Sequence, residues 1–257
     1  MDQDNSLLCL DIGNTSCRAG IWINGVFEST RSILTTEFTE HSQDWIREFK
    51  QYSKIAYCSV VPLAESAFLS RLPETDRSSV YQLTSNNQSI LPISYPILEE
   101  IGSDRIANSI AAFKSFELPA IVIDLGTATT FDLITVDGGY EGGIIVPGPQ
   151  GMLDFLGNHT ALLPKITLDN ECMHDLPVGK STTAAMLNGI QIGYLPMLQG
   201  ILDALKKHLL DLKITDHSII QTGGKAKDFL IDKAIFKPLL TLEGLAISCL
   251  GNPITPR

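Results

Sequence analysis

The sequence predicts an α/β protein made of two similar halves, and two observations carry that prediction: a segment that recurs in register, and the mixed helical and strand patterns that follow each copy. With Asp11 set over Asp124, Leu8-Cys9-Leu10-Asp11-Ile12-Gly13-Asn14-Thr15-Ser16 aligns without a gap on Ile121-Val122-Ile123-Asp124-Leu125-Gly126-Thr127-Ala128-Thr129. A second apolar strand follows in each copy. It ends in Asn24-Gly25 in the first and Asp137-Gly138 in the second. Both dipeptides suit type I′ hairpin turns, whose two central residues need φ > 0.

Each copy is therefore a strand, a D-x-G-[NT] turn, a second strand and a hairpin, with third strands starting near Val26 and Gly139. Helical patterns follow over Glu37–Tyr52, Leu63–Leu72 and Asp104–Phe116 in the first half. In the second half they cover Thr182–Leu210, Lys225–Asp232 and a last stretch through Leu242–Leu250. A period this long excludes a solenoid. The boundary is expected near Glu117-Leu118-Pro119, giving domains 1–117 and 118–257 with a central cleft for a small ligand.

The chain has 257 residues, 44% hydrophobic and 19% charged, which suits packed globular structure. A net charge of −10 with no long basic stretch argues against nucleic acid. An anionic substrate would need local help from backbone amides, a metal ion or a few placed cations. The start, Met1-Asp2-Gln3-Asp4-Asn5, is acidic where a secretory signal would be basic, and no apolar run approaches the ~20 residues that span a bilayer. Cys9, Cys17, Cys58, Cys172 and Cys249 are scattered without a CxxC pair, as reduced buried thiols of a cytoplasmic protein would be. His41, His159, His174, His208 and His217 show no metal spacing.

The chemistry is expected at the turns. In Asp11-Ile12-Gly13-Asn14-Thr15 a glycine lets the backbone approach a ligand, and the turn amides with the Asn14, Thr15 and Ser16 side chains can hydrogen-bond phosphate oxygens. A carboxylate at the strand end can hold Mg2+ beside those phosphates. Asp124-Leu125-Gly126-Thr127 repeats the device, and Gly223-Gly224 between a strand and a helical pattern fits an adenosine-side contact. Gly102-Ser103-Asp104-Arg105 opens a helix, where Ser103 or Asp104 serves as N-cap, or Asp104 faces the substrate and Arg105 clamps a carboxylate. The helix N-terminus is expected to keep Asp104 ionised. Gly179-Lys180-Ser181-Thr182 lacks the earlier glycine of a P-loop, because His174 stands there; Ser181 or Thr182 reads as the N-cap of a long helix.

Together these motifs resemble the type III pantothenate kinase family, of the actin-like ATPase and sugar-kinase (ribonuclease H-like) fold. They are DIGNTSCRAG (Asp11 to Gly20), IGSDRIAN (Ile101 to Asn108), IDLGTATTFDLI (Ile123 to Ile134) and GGIIVPG (Gly142 to Gly148). GKSTTAAMLNG (Gly179 to Gly189), TGGKA (Thr222 to Ala226) and TLEGL (Thr241 to Leu245) follow in the family's order.

The resemblance implies ATP-dependent phosphorylation of pantothenate to 4'-phosphopantothenate, the first step towards coenzyme A. It implies that Asp104 accepts the proton, with Tyr95, Gly102, Ser103 and Arg105 around pantothenate and Thr182 reaching it across a homodimer interface. Asp11, Ile12, Gly13, Asn14, Thr15, Ser16, Cys17 and Arg18 would form the ATP loop, with Thr127 a further ATP contact. Asp11 would hold Mg2+, and Asp124 an activating monovalent cation, K+ or NH4+. Ser103 stands where alanine is frequent in the family, and Arg18 where lysine is usual. Two other readings remain open from the residues. One is a kinase or phosphatase of the same superfamily acting on a sugar, acetate or polyphosphate; the other is a non-catalytic regulatory relative, which loss of Asp11, Asp104 or Asp124 would favour.

Overall fold

The computed structural model describes residues 6–49, 52–77, 79–168 and 178–251. The acidic start, Cys172 and His174 lie outside them. Among the described residues ten strands and seven α-helices follow one another, the first nine being β1 (Leu7–Ile12), β2 (Ser16–Ile23), β3 (Val26–Leu34), α1 (Thr35–Arg47), β4 (Lys54–Ser59), α2 (Pro62–Arg71), α3 (Glu74–Arg77), β5 (Val80–Gln82) and α4 (Ser103–Ser115). The second half comprises β6 (Ala120–Leu125), β7 (Ala128–Thr135), β8 (Gly139–Pro147), α5 (Pro149–His159), α6 (Thr182–Asp211), β9 (Ser218–Thr222), β10 (Ile235–Phe236) and α7 (Leu240–Leu250).

The repeat seen in the sequence is a repeat of topology. One sheet runs β3-β2-β1-β4-β5 and the other β8-β7-β6-β9-β10, so each strand of the first has its counterpart in the second. β1 pairs antiparallel with β2 and parallel with β4, while β9 is parallel to both β6 and β10. Parallel neighbours on one side need helical crossovers, which explains why three meandering strands give way to mixed elements in each half.

By compactness the chain divides into one unit of residues 1–118, 134–142 and 239–257, and another of 119–133 and 143–238. The core of the first gathers Leu8, Leu10, Ile12 and Cys17 with Phe38, Trp45, Tyr57 and Phe68 from α1, β4 and α2. In the second, Ile121, Ile123 and Leu125 of β6 pack with Leu187, Tyr194, Leu198 and Leu202 of α6. Among the described residues no helix is long and apolar enough to cross a membrane.

One local reading holds and two are corrected. Asn24 (φ 50°) and Gly25 (φ 91°) form the expected turn with both residues left-handed. Asp137-Gly138 does not: the turn takes Val136 to Gly138 and the positive φ falls on Gly139 (63°), as in a longer hairpin loop. The stretch Lys225–Asp232 is a series of turns rather than a helix. The buried Gln221 side chain takes over its backbone groups, donating to the carbonyls of Ala226 (3.0 Å) and Phe229 (2.7 Å) and accepting from the Ile231 amide (3.0 Å). The helix α5 went unforeseen, because Gly148, Gly151 and Gly157 thin its apolar pattern.

Candidate active site

The two aspartates hold the same place in their strands: Asp11 is the fifth residue of β1 and Asp124 the fifth of β6. The turns that follow differ. The Gly13 amide reaches the Ser16 carbonyl at 3.2 Å, whereas the Gly126 amide reaches that of Ala128 at 3.0 Å, so the second turn is one residue tighter.

In the first loop Asn14 and Thr15 are exposed, and Gly13, Ser16 and Arg18 are half-buried. Ile12 and Cys17 point into the core, which leaves only their backbone groups for a ligand. Thr35, at the start of α1, holds the loop from behind. Its hydroxyl donates to the Gly13 carbonyl at 2.6 Å and its amide to the Thr15 carbonyl at 3.0 Å. Sequence reasoning missed Thr35, since nothing local marks it.

Asp104 lies at the second residue of α4. The N-cap is Gly102, not Ser103 or Asp104. The Asp104 carboxylate accepts the Arg105 amide at 2.8 Å, and a Cβ at position 102 would stand 2.6 Å from Asp104 Oδ1. The Ser103 hydroxyl turns away to β4, donating to the Ser59 carbonyl at 2.9 Å and accepting the Ser59 amide at 3.0 Å. The helix N-terminus is not the largest influence on Asp104. Burial pushes its carboxyl above the ordinary value, and the Arg105 amide and charge offset only part of that.

Cys58 joins the two aspartates of this unit. Its buried thiol donates to Asp11 Oδ1 at 3.6 Å, and the charges of both Asp11 and Asp104 add to burial in raising the thiol. Beyond Asp104, the Arg105 guanidinium lies 5.7 Å from the centre of the Tyr140 ring. Tyr140 meets Tyr95 edge-on at 6.0 Å, and the Tyr95 hydroxyl donates to Glu100 at 3.4 Å. Gly102, Ser103, Asp104, Arg105 and Tyr95 are thus linked in one unit through Ser59 and Tyr140, neither of which the sequence pointed out.

In the other unit, Asp124 is paired in register with Thr222 of β9, and the Lys225 amide donates to the Leu125 carbonyl at 2.9 Å. Gly223 makes this approach possible: its φ is +100°, and a Cβ there would lie 2.5 Å from both Asp124 Oδ1 and the Leu125 nitrogen. The Gly148 amide reaches the Thr127 carbonyl at 3.0 Å, so three loops meet around Asp124, Gly126 and Thr127. Thr182 begins α6, with Ser181 as N-cap accepting the Ala184 amide at 3.1 Å. It lines an apolar groove of ~680 Å³ with Met152, Phe155, Met186 and Ile190.

Among the described residues no three His, Cys, Asp or Glu side chains converge to hold an ion. The carboxylates at the strand ends fit Mg2+ delivered on a nucleotide, since that ion keeps its waters and needs one or two carboxylates beside the phosphates.

The twice-repeated sheet order, with an aspartate and a glycine turn at the end of each first strand, is that of the actin-like ATPase and sugar-kinase class. Solved structures agree on the fold. A protein from Campylobacter jejuni described as a Baf family transcriptional activator matches with a TM-score of 0.59 at 21% identity, covering 96% of this chain and 100% of its own. The ethanolamine utilization protein EutJ from Carboxydothermus hydrogenoformans matches at 0.51 and 12% identity, covering 95% and 90%.

The model of the type III pantothenate kinase family matches residues 7–204, and the chain belongs to that family. It is 32% identical to the type III pantothenate kinase of Desulfosudis oleivorans over 94% of this chain and 97% of that one. With that of Methylacidiphilum infernorum it shares 31% over 94% and 87%. The protein is therefore a kinase, a phosphotransferase with an alcohol group as acceptor.

Proposed function

We propose that this kinase transfers the γ-phosphoryl group of ATP to the terminal hydroxyl of pantothenate, the first step towards coenzyme A. The observation that supports it best is Asp104 at the head of α4, joined to Asp11 through their shared neighbour Cys58. Asp104 orients the substrate hydroxyl for in-line attack and takes its proton. Its raised carboxyl makes it a better base than an exposed aspartate. Arg105 binds the pantothenate carboxylate, with Tyr95, Gly102 and Ser103 shaping the pocket. The amides and hydroxyls of residues 11–18 and Thr127 bind ATP. Mg2+ carried with the nucleotide, held by Asp11, would neutralise phosphate charge. Asp124 takes a monovalent cation, K+ or NH4+.

A homodimer completes this reading, with Thr182 reaching pantothenate in the partner's site. The apolar groove beside Thr182 supports it: Phe155 on its rim is 60% exposed and Ile192, ten residues along α6 from Thr182, 52%. A cytoplasmic setting suits the unpaired cysteines among the described residues, Cys9, Cys17, Cys58 and Cys249.

The decisive measurement is ADP release from ATP and Mg2+ with and without pantothenate, in K+, NH4+ and Na+ buffers. Pantothenate-dependent turnover stimulated by K+ or NH4+ is expected. Turnover on a sugar or acetate instead would move the chain to another acceptor, and none in any buffer would favour a regulatory role.

A further inference from the structure

Tyr140 has no place in the reading above, yet it meets Arg105, which binds the substrate's acid end, and Tyr95, which shapes the pocket. It is the second residue of β8 and is 1% exposed. The segment carrying Tyr95 is stitched to it: the Tyr140 amide donates to the Pro92 carbonyl at 2.9 Å, and the Ser94 amide to the Tyr140 carbonyl at 3.0 Å. The Ser94 hydroxyl adds a bond of 2.9 Å to the Gly138 carbonyl. These main-chain bonds fix the Tyr140 ring against that of Tyr95 at 6.0 Å and 64°, and beneath the Arg105 guanidinium at 5.7 Å.

We propose that Tyr140 is a positioning residue that sets specificity for a carboxylate-bearing substrate by holding the Arg105 guanidinium over its ring. The inference rests on Arg105 binding the carboxylate of pantothenate. A free arginine side chain samples many rotamers, and ordering it on binding would weaken the complex. The negative face of a desolvated aromatic ring attracts the flat cation before substrate arrives. The π face offers no lone-pair acceptor, so this contact orders the cation without replacing the charge-assisted hydrogen bonds that a carboxylate makes. Tyr95, packed against the same ring, is fixed together with the arginine.

The test is steady-state kinetics at saturating ATP, with pantothenate and with pantothenol, which carries an alcohol in place of the carboxylate. Tyr140→Leu is expected to raise KM for pantothenate about 3- to 30-fold. The KM for pantothenol, the KM for ATP and kcat should stay within about twofold, the margin outside that expected range. Tyr140→Phe, which keeps the ring, should behave as wild type. Tyr140→Met fills the space with an adaptable chain and serves if the leucine variant does not fold. In an Arg105→Met background Tyr140→Leu should add nothing. Equal losses on both substrates, or none, would overturn the inference while leaving the kinase reading intact. Wild-type protein that phosphorylates neither compound would remove the kinase reading, and this inference with it.

Discussion

Ser59 and Ser103 exchange two hydrogen bonds, the Ser103 hydroxyl giving one to the Ser59 carbonyl at 2.9 Å and taking one from the Ser59 amide at 3.0 Å. One side chain thereby fastens the end of β4 to the head of α4. Because Cys58, the preceding residue, donates to Asp11, the strand end relates Asp11 to Asp104. Ser103→Ala would strand both Ser59 groups, at about 1–3 kcal/mol. The expected outcome is a melting temperature lower by roughly 2–10 °C, read by calorimetry. Turnover should persist, since the Ser103 hydroxyl is engaged by Ser59; loss of activity beyond about tenfold, a ~1.4 kcal/mol effect, would mean the hydroxyl meets substrate.

Asp104→Asn should cut kcat by about 100-fold or more, the scale of a lost general base. It should also make the protein more stable at neutral pH. The folded carboxyl lies above its ordinary value because burial disfavours the charge. The folded state therefore holds the proton more tightly than the unfolded chain does. Stability is fully present below the unfolded value, near 3.8, and lost as pH rises through the raised folded one. Chemical denaturation of both proteins across that window should show the asparagine variant gaining as pH rises and the two converging in acid.

The thiols should react in an order set by burial. Cys17 is pushed up to about 12, and Cys9 and Cys58 well above the ordinary value. Cys249 is raised too, but only partly covered. In a Cys172→Ser background, an aromatic disulfide reagent at pH 8 should label Cys249 first, and the other three only in denaturant. Rapid native labelling of Cys58 would contradict the contact with Asp11.

Gly223→Ala would need a residue at φ +100° and a methyl group against Asp124. Activity in K+ should fall by at least about tenfold and no longer exceed that in Na+, a loss of ~1.4 kcal/mol or more. Unchanged cation stimulation would separate Asp124 from the ion site.

Mixing Asp104→Asn with a Thr182 variant tests the shared site. If each pocket takes Asp104 from one protomer and Thr182 from its partner, the mixture should regain activity that neither variant has alone. Phe155→Glu should dissociate the proposed dimer in sedimentation. No regain in a mixed dimer would confine each site to one chain.

The duplication, both aspartates and the Gly102–Arg105 helix head were legible because each is a local pattern: an apolar run, an acid, a glycine. Thr35, Ser59 and Tyr140 were not, because their partners lie far along the chain, 44 positions in the case of Ser59 and Ser103. Lys225–Asp232 misled for a related reason. Its apolar spacing suits a helix, but the tertiary placement of the Gln221 amide satisfies the same backbone groups in a tighter path.

The unequal turns after Asp11 and Asp124 leave the strands behind them equally placed. Counted from their first residues, β2 and β7 bury the same positions, the second and the fourth to seventh. Side chains alternate faces along a strand, so a slip of one residue within the strand would have turned those positions over. The turn has absorbed the difference instead, which lets the two loops differ in length while the sheets behind them stay alike.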